Sequence, residues 1–332
     1  MPVHSTGTFP RRAALTGLAG AAAMTRRVAA QQTDWPNRGV RVLVGYPAGG
    51  ANDLVARAVA QGMGEALGQP VVVENRAGGA GSIAAEAAAR AAPDGYTLFS
   101  LTSAHVLAPA IRRNLAYDPV RDFAGIVLAA MAPYLLVVHR SVPATDAKGF
   151  VAWARGRPGE ITYASSGVGA GPHLAMELFA AMAGIRLNHV PYRGDADMLV
   201  DLTAGRVQCA FGSVGPTLPH VRAGTLRALG VSGERPLAAA PEIPTVADAA
   251  ALPGYAMAAW WSIAAPTGTP EAVLARAENA ATPTIRSAGF RDRFLGMGFE
   301  AGTLGGAAFQ RFVASERERL AEVVRRAGIQ PE

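Results

Sequence analysis

Residues 40–57, VRVLVGYPAGGANDLVAR, constrain the fold more than any other stretch of this chain. Val40, Val42, Leu43, Val44 and Tyr46 make a short β-rich run that ends in a Pro-Ala-Gly-Gly turn, and an apolar-periodic run follows from Leu54. Asn52 and Asp53 stand where a helix N-cap is expected. Gly49 and Gly50 let the backbone approach a ligand, and the helix start offers unpaired N–H groups and the positive end of its dipole. Such a turn can hold an anion. One copy is weak evidence, because most strand-to-helix turns bind nothing, but the device recurs twice.

The second copy is PVVVENRAGGAGSIAAEAAAR (70–90), with a buried strand at 71–73, a loop of Gly78, Gly79 and Gly81, and Ser82 as the expected helix cap. The third is ITYASSGVGAGPHLAMELF (161–179), where Ser165 and Ser166 precede Gly167, Gly169 and Gly171, and Pro172 suits a first helical turn. Three such turns facing one cleft would suit a small anion, most simply a carboxylate.

Half of the 332 residues are hydrophobic and 17% are charged, which fits a globular α/β protein of two domains. The net charge of +6 invites a nucleic-acid reading, but four arginines (Arg11, Arg12, Arg26, Arg27) lie in the acid-free first 30 residues. Without them 27 basic residues face 25 acidic ones, and no basic stripe with interleaved aromatics remains, so no nucleic-acid partner is expected. Residues 1–30 read as an export signal: Arg11-Arg12 precede an Ala/Leu/Gly segment at 13–24, and Val28-Ala29-Ala30 supplies small residues before Gln31. Twin-arginine and Sec export fit equally, and the apolar run is too short to span a bilayer. The single cysteine, Cys209, cannot form an internal disulfide and sits in an apolar run that reads as a core strand.

Short Val/Leu runs alternate with helical periodicity, which predicts a mostly parallel or mixed sheet. The apolar stretch 123–139, broken by Pro133, is long enough for two strands or for one strand crossing between lobes. A second α/β series follows, with strands expected at 161–164, 187–192, 207–211 and 226–231. The Pro-rich segment 235–253 reads as a connection back to the first lobe, ahead of a strand at 260–264 and a last helix at about 306–327. Two lobes joined by more than one crossing outline a hinged binding protein.

Several motifs occur in one order: WPNRGVRVLVGYPAGGANDLVAR (35–57), VVVENRAGGAGSIAAE (71–86), DGYTLF (94–99), SSGVGAGPHLAMELF (165–179), VPYRGDADMLVDLTAGRVQCAF (190–211), GTLRALGVSGERP (224–236), PEIPTVADA (241–249) and WWSIAAPTGTP (260–270). Together they resemble the Bug receptors, the periplasmic solute-binding components of tripartite tricarboxylate transporters, over nearly the whole chain beyond the leader. The resemblance implies an α/β, two-lobed type II periplasmic binding fold with a hinge and an interlobe cleft. Lobe 1 would comprise 34–129 and 258–332, and lobe 2 130–257. It implies a monomer that binds a small organic carboxylate and meets transporter membrane components, with no cofactor or metal and no catalysis; a sensor subunit for a signalling partner would need the same cleft. Family members hold the carboxylate against two loops, here 46–53 and 165–169, with backbone N–H groups, small hydroxyls and ordered water.

The expected ligand-binding set is Tyr46, Gly49, Gly50, Asn52, Asp53, Ser82, Thr102, Ser103, Ser165, Ser166, Gly167, Gly169, His173, Tyr192, Arg193 and Ser213. Asp53 either contacts the ligand or caps the helix, and capping is the preferred role. His173 either donates to a carboxylate or packs at its helix start. Tyr46 and Tyr192 adjoin Gly turns and are placed as cleft walls. Arg193 is the best charged candidate for a ligand carboxylate. Trp260 and Trp261 are expected to pack at the lobe crossing, with ligand stacking as the alternative. The chain departs from the family at Ala84, where a further glycine is usual, at Ala170-Gly171-Pro172, where a serine commonly precedes the histidine, and at Asp195 and Asp197, where small uncharged residues are usual. Two carboxylates beside the cleft would disfavour a highly charged anion and favour a ligand with a cationic or hydroxyl group. On the exposed start of a helix they would instead complement its dipole, which is the reading preferred from sequence.

Enzyme signatures are absent from the sequence: no G-x-S-x-G, H-E-x-x-H, Walker A or C-x-x-C occurs, and the six histidines are scattered. Gly45 to Gly50 and Gly167 to Gly171 do not reproduce G-x-G-x-x-G. A serine hydrolase built on Ser165 or Ser166 with His173 is the remaining catalytic alternative.

Overall fold

The computed structural model describes residues 1–4, 35–326 and 328. The chain divides into Met1–Asp34 and Trp35–Glu332, and the architecture below is that of the second part. The expected export signal falls on residues outside the described ones, apart from 1–4.

Each glycine loop joins a strand to a helix. Strand β1 (Val40–Val44) buries Val40, Val42, Leu43 and Val44 and leads into α1 (Ala51–Leu67). Strand β2 (Val71–Asn75) leads through a tight turn at Gly79–Gly81 into α2 (Ser82–Ala89), and β3 (Thr97–Phe99) into α3 (Ser103–Ile111). The long apolar stretch is one strand, β4 (Phe123–His139). After α4 (Ala147–Arg155) the device repeats as β5 (Thr162–Ser165) with α5 (Gly171–Ala183), β6 (Asn188–Pro191) with α6 (Asp195–Thr203), and β7 (Cys209–Ser213) with α7 (Val214–Arg222). Strand β8 (Leu226–Val231), α8 (Val246–Ala249), β9 (Ala258–Pro266), α9 (Glu271–Arg286), α10 (Ala288–Leu295), β10 (Glu300–Ala301) and α11 (Gly306–Arg326) complete the chain.

The strands form one sheet in the order β2-β1-β3-β9-β4-β7-β5-β6, with β8 and β10 also paired to β4. Strand β4 belongs to two halves. Its residues up to Pro133 pair antiparallel with β9 and β10, and from Tyr134 onward it pairs antiparallel with β7 and β8. Pro133, which has no N–H to give a ladder, marks the exchange of partners. The parallel sets β2-β1-β3 and β6-β5-β7 lie in opposite halves. This is the two-lobed α/β architecture of periplasmic binding proteins, with its crevice at the carboxyl ends of the strands.

Burial follows the same division. Val42, Val55, Val59, Met63, Ile263 and Phe294 pack in one cluster, and Leu135, Ala164, Leu199, Leu202 and Ala210 in another. A third cluster runs through both halves and includes Phe99, Phe123, Phe179, Phe211, Trp260 and Phe309. Trp260 donates its indole N–H to the buried Glu316 of α11 at 3.1 Å, and Arg319 pairs with the same carboxylate at 2.6 Å. Trp260 therefore packs at the crossing as expected. Cys209 is fully buried in β7, and burial pushes its thiol up.

Candidate ligand-binding cleft

Five helices start at one cleft between the two halves. A chamber of about 430 Å3 is lined by the β1–α1 turn (Tyr46, Pro47, Gly50, Ala51, Asn52), the start of α3 (Thr102, Ser103) and the β5–α5 loop (Gly169, Ala170, Gly171). A second chamber of about 580 Å3 is lined by Ser166, by Asp195 at the start of α6, and by Ser213, Val214 and Gly215 at the start of α7. The chambers share Ala51, Tyr134, Ala170, Gly171, Ala259 and Trp261, so they are two ends of one space.

Helix α1 begins after Gly50 and α5 after Ala170, and neither cap residue offers a side-chain acceptor to the first turn. Both helices thus present uncapped N–H groups and dipole ends to the first chamber, an anion-receptive arrangement without a cation. Asn52 adds a side-chain donor. It is 4% exposed; its Oδ1 accepts from Ser100 at 2.5 Å, while its Nδ2 has no partner among the described residues. A buried amide donor left open beside a cavity is costly unless a ligand or water completes it.

The turns are held from behind by buried polar groups. Asp53 is not the N-cap expected from sequence, because the helix starts two residues earlier and places Asp53 in the first turn. From there its carboxylate accepts from the Gly49 N–H at 2.9 Å, from Arg57 at 3.0 Å and from Asn75 at 2.8 Å. Burial alone would raise the Asp53 carboxyl, but Arg57, Gly49 and Asn75 together hold it below the ordinary value. Ser82 likewise lies inside its helix, with Gly81 at the cap, and its hydroxyl donates to the Gly79 carbonyl at 2.8 Å. Thr102 caps α3 and engages His105 Nδ1 through its N–H at 3.1 Å and its hydroxyl at 2.9 Å. An Nδ1 that accepts places the proton of the neutral ring on Nε2. Burial pushes His105 down to about 4.

The β5–α5 loop has a parallel support. Ser165 is fully buried, 2.7 Å from His189 Nε2, and its hydroxyl both donates to the Gly167 carbonyl and accepts from the Gly167 N–H. His173 Nδ1 accepts from the Gly169 N–H at 3.1 Å and stacks on His189 with centroids 4.2 Å apart. Burial, with His189 adding to it, pushes His173 down to about 4. The histidine paired with Ser165 is His189, not His173, and the serine is enclosed rather than presented to the cleft.

Tyr134, at the point where β4 changes partners, stands between the chambers. A Cβ on Gly171 would lie 1.9 Å from its hydroxyl, so only glycine lets the tyrosine reach across the start of α5. Burial raises the Tyr134 hydroxyl well above its usual value, and the negative charge of Asp195 adds to this. The halves touch on both rims: a Cβ on Gly169 would lie 3.1 Å from Ile111 Cδ1, and one on Gly215 would lie 3.3 Å from the Met297 backbone.

Of the residues expected at the ligand, Tyr46, Gly50, Asn52, Thr102, Ser103 and Gly169 line the first chamber, and Ser166 and Ser213 the second. Gly49, Asp53, Ser165, Gly167 and His173 lie behind the loops in the contacts just described, and Ser82 belongs to the neighbouring turn. Tyr192 donates to Asp201 at 2.6 Å, and Arg193 is exposed; neither lines a chamber. Asp195, read from sequence as part of a solvated helix start, lines the second chamber, whereas Asp197 is exposed. Tyr134, Met257, Met297, Phe299 and Leu320 were not expected at the cleft. The Pro133-Tyr134 break in the apolar run was the available signal for Tyr134. Trp261 lines both chambers and stacks on Phe299 with centroids 4.7 Å apart.

Two α/β lobes with helix starts converging on a cleft that holds no cationic side chain define the class of a solute-binding protein. Residues 55–329 match the tripartite tricarboxylate transporter family receptors, and the chain belongs to that family. It is 37% identical to a protein from the tcbD-tcbE intergenic region of Pseudomonas sp. strain P51, over 95% of this chain and 94% of that one. Rpa4515 of R. palustris, solved with adipate, is 35% identical and superposes with a TM-score of 0.75 over 90% of this chain and 100% of its own. MatC (Rpa3494) of Rhodopseudomonas palustris, solved with malate, is 30% identical with a TM-score of 0.71 over 87% of this chain and 99% of its own. Among the described residues no helix is long and apolar enough to cross a membrane.

Proposed function

We propose that this chain is an exported, periplasmic receptor that captures a small organic carboxylate and presents it to the membrane components of a tripartite transporter. The observation that carries the reading is the meeting of the uncapped starts of α1 and α5 beside the open Nδ2 of Asn52. The two relatives solved with adipate and malate support the same ligand class. Each hydrogen bond to a carboxylate contributes about 1.5–3 kcal/mol, so a few donors suffice without an arginine.

In this reading the ligand bridges two lobes, 34–129 with 258–332 and 130–257, that close about the β4 crossing and the chain entering β9. The first 30 residues direct export, and the protein acts as a monomer that binds without chemistry. The test is thermal stability of the purified chain with a panel of mono-, di- and tricarboxylates and their matched amides. A ligand at about 100 times its Kd adds roughly 2.7 kcal/mol, visible as a higher melting temperature. A carboxylate that stabilises while its amide does not is the expected result. Equal response to acid and amide, or none to any acid after unfolding and refolding, would overturn the reading.

A further inference from the structure

The two ends of the cleft differ in sign. At the first, the two uncapped helix starts of α1 and α5 and Asn52 present donors; at the second, Asp195 is the single ionic side chain. No lysine, arginine or histidine lines either chamber, so nothing there balances a second negative charge on a ligand. Asp195 itself makes no ion pair or hydrogen bond among the described residues, in contrast to Asp201, which pairs with Arg206 at 2.5 Å and accepts from Tyr192. Between the ends the walls are apolar or aromatic: Trp261 stacked on Phe299, Met297, and Tyr134, whose raised hydroxyl stays a neutral donor.

We infer that the ligand is a monocarboxylate whose far end carries a hydrogen-bond donor, an ammonium in preference to a hydroxyl, held by Asp195 across an apolar midsection. The inference rests on the carboxylate reading above and narrows it. A half-buried carboxylate in a partly enclosed chamber attracts a cation and repels an anion more strongly than it would in bulk water. A dicarboxylate such as adipate would place its second charge in the chamber that holds Asp195. The ligand inferred here therefore differs from adipate in charge at its far end and keeps one carboxylate.

A six-carbon series matched to adipate tests this: hexanoate, 6-hydroxyhexanoate, 6-aminohexanoate and adipate, titrated calorimetrically into the full chain and into Asp195→Asn and Asp195→Ser. Comparing dissociation constants within one variant makes the result independent of how much of that variant is folded. The expected order on the unaltered chain is 6-aminohexanoate, 6-hydroxyhexanoate, hexanoate, adipate, with at least tenfold between the first and the last. Both substitutions should shrink that ratio by at least tenfold. Adipate binding as tightly as 6-aminohexanoate, or a ratio that both variants leave within twofold, would overturn the inference while leaving the carboxylate receptor standing. Binding of none of the four would overturn the inference, and the thermal panel above decides the carboxylate receptor separately.

Discussion

Asn52 offers a sharp test, because its side chain should help the bound state and burden the free one. In the free protein its buried Nδ2 has no protein partner among the described residues, an omission that costs up to roughly 1–3 kcal/mol. Asn52→Ala removes that open donor but also deprives the buried Ser100 hydroxyl of its acceptor, 2.5 Å away. The two changes nearly cancel, so the free single variant should unfold within about 1 kcal/mol of the unaltered chain, and Asn52→Ala/Ser100→Ala should match or exceed it. Binding behaves differently. Losing one donor to a carboxylate removes about 1.5–3 kcal/mol, which raises Kd roughly 10- to 150-fold. Urea unfolding of the ligand-free proteins and calorimetric titration with the tightest carboxylate from the panel measure the two quantities separately. A Kd within threefold of the original, or a free-state loss above about 3 kcal/mol, would refute the assignment of Asn52 as an open ligand donor.

Three further outcomes follow from contacts around the cleft. Gly171→Ala forces a methyl to within 1.9 Å of the Tyr134 hydroxyl and 2.7 Å of its Cζ; the displaced ring should cost about 1–3 kcal/mol in urea unfolding and weaken binding, and Gly171→Ala/Tyr134→Ala, which removes the ring, should lose less stability than the two single losses added together. If the two losses simply add, the clash lies elsewhere. Asp53→Ala removes the acceptor shared by Gly49, Arg57 and Asn75 and should destabilise by about 2–3 kcal/mol while raising Kd, whereas an unchanged Kd would show that the first turn keeps its shape without the carboxylate. Acid should begin to weaken the fold above the range in which carboxylates titrate. His105 and His173 are held near 4 in the folded protein against about 6.5 unfolded, so the unfolded chain binds more protons between those values and stability falls as pH drops from 6.5 towards 4. By pH 4.5 His105 alone should account for about 2 kcal/mol, so unfolding free energies that agree at pH 7 and pH 4.5 would contradict the buried neutral ring.

The βα units were legible because their signals are local. Valine runs, glycine turns and apolar periodicity placed β1, β5 and β8 and the two loops of the first chamber. The helix starts were less legible. Asn52 and Asp53 resemble a cap in sequence, yet the backbone turns helical at Ala51, because the Asp53 carboxylate reaches back to Gly49 and stabilises an earlier start. What sequence could not place was the far chamber. Asp195, Met297 and Phe299 are about 100 residues apart along the chain and meet only because β4 passes from one half of the sheet to the other. Tyr192 was misleading for a related reason: it follows a strand, as Tyr46 does, but its hydroxyl is taken by Asp201 on the next helix.

Anchoring an anion with backbone dipoles rather than with a cation leaves the rest of the cleft chemically free. A guanidinium at the carboxylate end would act beyond that end, since in a partly dehydrated space its field would extend into the adjoining chamber. An Asp195 facing such a group would pair with it or lose its selectivity. Helix starts behave otherwise: their effect falls off within the first turn. The donor end near Asn52 and the carboxylate end near Asp195 can therefore coexist in one continuous space without cancelling. With the anchor proposed above, specificity would be altered at α6 and at Met297 or Phe299 without disturbing it, because that anchor is mostly main chain and is set by where α1 and α5 begin. A fold of this kind can keep one anchoring device and change its ligand by single substitutions at the far wall, where Asp195 stands.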